Sequence, residues 1–173
     1  MYDKVGNLPS AWASSADFLL SAARVLRAAR DAVYEFPIDV GDPITDGEKV
    51  FSAEIMLRGF ALECHFKALW VKRGNVLTSQ GRLQKIPGVG NHDLFQLAKK
   101  LGFNCEPIEG DLLKRLSLFM ISVGRYPIAT DWSRTKVQKI FGGGEASPTY
   151  WMSPRDDNAY NAILMRIEAE LES

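Results

Sequence analysis

Histidine and cysteine, the residues behind most metal and thiol chemistry, are scarce in this chain: two of each in 173 residues. Cys64 and Cys105 lack the paired spacing of a zinc site, and Cys64 falls inside an apolar segment. Both read as reduced thiols, and neither a metal nor any other cofactor is expected. An excess of one charge is missing too. Lys plus Arg and Asp plus Glu stand at 21 each, so no global field draws nucleic acid or an anionic membrane, although a local basic face stays open. No run approaches the roughly 18 uninterrupted apolar residues of a membrane span. The start, MYDKVGNLPS, has acid and proline where a leader would have a basic start and an apolar run. These absences predict a cytoplasmic protein that does not enter the membrane.

Other motifs are lacking as well. No serine or cysteine sits in a nucleophile motif. Gly142-Gly143-Gly144 has neither the following Lys-Ser/Thr nor the preceding strand of a phosphate loop, and it reads as a hinge. No internal repeat or low-complexity segment divides the chain. Its length suits a single domain over residues 1–173.

What is present is helical periodicity. A first helix is predicted from about Ser10 to Glu35, with Trp12, Phe18, Leu19, Ala22, Leu26, Ala29 and Val33 as its apolar face. A second runs from Val50 to Lys72, with Gly74 as its C-terminal cap. On it, Glu54, Arg58, His65 and Lys72 share one narrow stripe, which reads as the solvent face. Glu63 and Lys67 fall on the other side among Met56, Phe60 and Trp70, four apart in the order that favours pairing. Charges on an apolar face must be paired or line a cleft, because burying them alone is costly. That makes Glu63 and Lys67 site candidates.

A glycine- and proline-rich stretch from Asn75 to Asn91, with Arg82 and Lys85 and no acid, reads as a long basic loop. A short helix over Asp93–Leu101 follows, with Asn91 as its cap and Gly102 as its stop; a fourth helix runs from Asp111 to Gly124. Pro127 then puts Arg125 at that helix's C-terminus. A second irregular region, 131–152, mixes bases and aromatics: Trp132, Arg134, Lys136, Lys139, Tyr150 and Trp151. The last helix opens on Ser153 as cap, Pro154 in first position, and Asp156 and Asp157 on the dipole. The fold class predicted is all-α: a four- to five-helix up-and-down bundle with two long irregular loops.

Three polar clusters therefore stand out: Glu63 with Lys67, His92-Asp93 opening the third helix, and Arg125-Tyr126-Pro127 after the fourth. In ordinary structural terms Glu63 and Lys67 form an ion pair, His92 and Asp93 cap a helix, and Arg125 satisfies terminal carbonyls. The order ALExxxKAL, then HDL opening a short helix, then RYP ending the next, resembles the HEPN superfamily over roughly Phe51 to Ile128. These are small helical bundles, typically dimeric, found in nucleotide- and RNA-processing proteins and in toxin and defence modules. The resemblance implies a homodimer that takes a nucleotide or RNA, or a cognate protein partner. It carries over Arg125, the pair Glu63 and Lys67, and His92-Asp93; with Tyr126 beside them, the site expected has His92 and Arg125 as catalytic residues and Glu63, Lys67, Asp93 and Tyr126 as ligand-binding ones. Catalytic members carry a His four to six residues after the Arg, and here no His follows Arg125. A ribonuclease of this kind would have to move its proton through His92. The rival expectation is a non-catalytic interaction or regulatory bundle.

Overall fold

The computed structural model describes residues 1–34, 46–123, 136, 138–139, 145–146 and 153–173. Among these the chain forms six helices and two very short antiparallel strand pairs, an all-α architecture. Two long helices, α2 (Pro9–Tyr34) and α3 (Asp46–Lys72), make the most extensive pairing in the fold. Trp12 lies against Lys67 near one end and Arg30 meets Glu54 near the other, so the two run antiparallel. The last helix, α6 (Pro154–Glu172), lies along α3, with Tyr160 on Arg58 at its start and Leu171 on Lys72 at its end. Helix α5 (Pro107–Leu118) runs against α6 and continues as a π-helical turn, Phe119–Val123. No helix among the described residues is long and apolar enough to cross a membrane.

The stops and starts follow local chemistry. Gly74 and Gly102 both take positive φ after their helices and donate back to Val71 and Lys99 carbonyls, as C-terminal glycines do. Ser153 caps α6 in a reciprocal box with Asp156, and Pro154 occupies the first position. Helix α4 (Leu94–Lys100) is capped by Asp93, whose Oδ1 accepts from the Gln96 N–H at 3.0 Å, and not by Asn91. The predicted start of α5 at Asp111 also moves: Glu106 and Glu109 form a box around Pro107.

Two readings of helix faces are corrected. Helix α3 has no solvent face over most of its length: Glu54, Arg58 and His65 are buried, and only Lys72 of that stripe is exposed. The helix packs against α2, α5 and α6, which bury its polar stripe, while Ala53, Met56, Leu57, Phe60 and Cys64 on the other side stay half-buried. Helix α2 is rotated from the predicted face, of which Trp12 and Leu19 do pack against the core. Ala16, Leu20 and Ala23 face the core, whereas Phe18 and Val25 point outward at 77% and 69% exposure.

The connection after α3 is more ordered than a loop. Thr78–Ser79 (β1) pairs with Arg82–Leu83 (β2), and Gln80 and Gly81 both take the positive φ that a two-residue hairpin needs. Helix α1 (Tyr2–Gly6), absent from the sequence reading, clamps this hairpin. Asn7 accepts from the Leu77 and Thr78 N–H groups and donates to the Thr78 carbonyl, while Asp3 accepts from the Gly81 N–H. The clamp fixes one wall of the cleft described next.

Candidate functional site

Residues 77–93 fold over the middle of α3 and leave a cavity of about 170 Å³ open to solvent. Pro87-Gly88 makes a turn with Gly88 at φ 80°, and the Val89 N–H donates to the Ile86 carbonyl. The next turn brings the Asp93 N–H to the Gly90 carbonyl, with His92 at φ 57°. Left-handed backbone at a non-glycine residue costs of order 1 kcal/mol and persists only where surrounding contacts hold it. Here two contacts do so. His92 Nδ1 shares a hydrogen bond with Glu63 Oε2 at 2.8 Å, and the imidazole stands edge-on to Phe60 with ring centres 5.2 Å apart.

Glu63 is the centre of the arrangement. Its other oxygen, Oε1, is 2.6 Å from Lys67 Nζ, one helical turn on, and that ammonium lies 5.1 Å from the centre of the Trp12 ring. Both carboxylate oxygens of a buried residue are thus paired, as burial requires. His92 keeps about a third of its side chain exposed, and no hydrogen bond to its Nε2 is present among the described residues. Lys85 and Gln84 come to the same cavity from beyond β2, and Leu77, Ile86 and Val89 give it an apolar side. Glu63, Lys67, His92 and Asp93 are therefore brought together around one cavity, with Asp93 committed to capping α4. Arg125 and Tyr126, and Gly142-Gly143-Gly144 with most of the basic and aromatic 131–152 region, lie outside the described residues.

A second polar centre, missed in the sequence, occupies the stripe of α3 read as solvent-facing. Arg30 Nη1 donates to Glu54 Oε2 at 2.6 Å; Asp157 takes two hydrogen bonds from Arg27, at 3.1 and 2.9 Å, and lies 2.8 Å from Arg58. Arg58 also stacks over the Tyr160 ring, and the Tyr160 hydroxyl donates to the Arg58 carbonyl. The two acids respond in opposite directions. Burial raises the pKa of Glu54 despite Arg30 and Arg58. Burial also works against Asp157, but its hydrogen bonds from Arg27 and Arg58 win and hold its pKa below the usual carboxylate value. Arg24, Arg27 and Arg58 border a smaller hollow of about 130 Å³ here. Every cation that meets Glu54 and Asp157 in this centre, apart from Arg58, comes from α2, so no pattern within α3 announces it.

The remaining reactive groups are quiet. Cys64 and Cys105 are free, and burial pushes the Cys64 thiol up to about 11. His65 is buried, neither ring nitrogen is hydrogen-bonded among the described residues, and burial lowers its pKa. Among the described residues, no three His, Cys, Asp or Glu side chains are grouped to hold a metal ion. Comparison with protein-family models, with curated proteins and with solved structures finds no match to this chain.

Proposed function

We propose that the cleft between α3 and residues 77–93 binds a nucleotide or single-stranded RNA, in a HEPN-like domain of a toxin or defence system. His92 is its proton carrier for metal-independent RNA cleavage. The observation that carries this reading is the Glu63–His92 hydrogen bond on the wall of an open cavity. A carboxylate on Nδ1 fixes the orientation of the ring and leaves Nε2 to exchange a proton with a bound group. Lys67 and Lys85 supply cations for phosphate, and Leu77, Ile86 and Val89 an apolar seat for a base. In the step envisaged, a ribose 2′-oxygen bonds to phosphorus and gives its proton to His92 Nε2. The bond to the 5′-oxygen breaks, and that oxygen takes a proton from water. Arg125, as a bidentate phosphate ligand, and Tyr126, as a stacking surface, enter through the family resemblance alone. The working unit in this reading is a homodimer.

A specific observation favours a second reading. Both oxygens of Glu63 are already paired inside the protein, as in a network built for structure, and the domain would then be a non-catalytic partner-binding module. RNA binding and cleavage in EDTA by the wild-type protein, His92→Ala and Arg125→Ala decide between them. Cleavage lost in His92→Ala with binding kept supports the first reading. Cleavage that survives both substitutions removes it, and neither binding nor cleavage favours the second.

A further inference from the structure

The outward face of α2 lacks something a solvated helix normally has. From Ser14 to Ala32 its outermost positions carry Phe18, Ser21, Ala22, Val25, Ala29 and Ala32, all exposed and none charged. An exposed helix face ordinarily alternates charges, and a long apolar stripe on a protein surface marks a contact. The small residues let another helix approach closely, and Phe18 and Val25, two turns apart, are the knobs such an approach would bury. Small residues alone do not say what covers the face. The charges along its edge do.

One edge of the stripe is lined by Asp17, Arg24 and Asp31, each two turns from the next and all exposed. We propose that α2 pairs antiparallel with α2 of a second copy of this chain, about a two-fold axis level with residues 20–21. In that register like edges meet. Asp17 comes level with Arg24 of the partner subunit and Arg24 with the partner's Asp17, two identical ion pairs by symmetry. Phe18 falls between the levels of the partner's Ala22 and the partner's Val25, and Val25 between those of the partner's Phe18 and the partner's Ser14, so each large side chain has a small one beside it. A parallel pairing would set Asp17 against the alanine edge and leave its charge unmatched. Antiparallel α2 helices also oppose their dipoles favourably. The proposal shares with the functional reading only its two-copy stoichiometry; the face and the register come from α2 itself.

Sedimentation equilibrium of the full chain tests it, with far-UV circular dichroism to show that each variant is folded. The wild type is expected to be a dimer. Phe18→Asp should make it monomeric. Asp17→Arg or Arg24→Asp alone sets like charges opposite each other twice per dimer and should raise the dissociation constant about tenfold or more. The double variant Asp17→Arg/Arg24→Asp restores both pairs and should bring the constant back to within about threefold of wild type. A wild type that stays monomeric to about 100 µM overturns the proposal, as does a dimer indifferent to Phe18→Asp. A dimer that the double reversal does not rescue overturns the antiparallel register. His92→Ala lies away from this face and should leave the dimer intact, so failure of the cleft and failure of the pairing are read separately.

Discussion

Neutralising the less buried of two acids should hurt this fold more than neutralising the fully buried one. Glu54 has no exposed side-chain surface, whereas Asp157 keeps about a quarter of its own. Burial alone would rank Glu54→Gln as the worse substitution. The pairings reverse that order. Asp157 accepts two hydrogen bonds from Arg27 and one from Arg58, at 2.8 to 3.1 Å. An amide keeps one acceptor oxygen and no charge, so Asp157→Asn weakens three charge-assisted contacts and leaves Arg58, among the described residues, with Glu54 3.7 Å away as its remaining acid. The cost is about 2–4 kcal/mol, a fall in Tm of about 5–15 °C for a chain of this size. Glu54→Gln removes a charge that burial already disfavours, while Arg30 keeps Asp31 and Arg58 keeps Asp157. It should cost no more than about 1 kcal/mol. Urea and thermal unfolding at pH 7 measure both. The pH dependence separates them further. Asp157 has a depressed native pKa, so its contribution is complete above its unfolded pKa, about 3.9, and is lost as pH falls through the lower native value. Glu54 has a raised native pKa, so the native state takes up its proton first, and stability rises as pH falls towards the unfolded pKa of about 4.3. Glu54→Gln should abolish that gain. If Glu54→Gln proves more destabilising than Asp157→Asn at pH 7, the account of this centre is wrong.

Two further outcomes follow from the core. His65 is buried without a hydrogen bond among the described residues and its native pKa is lowered, so protons bind the unfolded state preferentially below about pH 6.5 and stability falls as pH drops through that value. His65→Leu should flatten the stability profile between about pH 7 and 5, and an unchanged slope in urea titrations would refute that source of acid sensitivity. Gly59→Ala would place a methyl 2.6 Å from the sulfur of Met120, which is fully buried and has little room to move. It should cost about 1–3 kcal/mol by overpacking, and a neutral result in thermal unfolding would mean that the α3–π-helix contact yields more easily than its packing implies.

The candidate cleft was half legible in the sequence. Glu63 and Lys67 could be paired from their spacing because a helix places residues four apart side by side, and they do pair. His92 could be singled out as one of two histidines, but its bond to Glu63 depends on two successive turns that carry the chain back onto α3. The clamp of α1 on the β1–β2 hairpin left no such trace. Its contacts run from Asp3 and Asn7 to residues 77–81, and neither side has a local pattern that requires the other.

By itself, the sequence determined that the fold is all-α and where several of its helices start or stop. Caps such as Ser153-Pro154, stops such as Gly74 and Gly102, and apolar periodicity act over a few residues, whatever surrounds them. Only the tertiary structure decided which face of each helix is inside. A charged stripe reads as solvent-facing unless partners neutralise it, and for Glu54 and Arg58 those partners are Arg30 on α2 and Asp157 on α6, distant in sequence. The same packing turned Phe18 and Val25 of α2 outward, because α3 is covered from the other side of that helix by Ala16, Leu20 and Ala23, whose small or slender side chains let the two long helices come together.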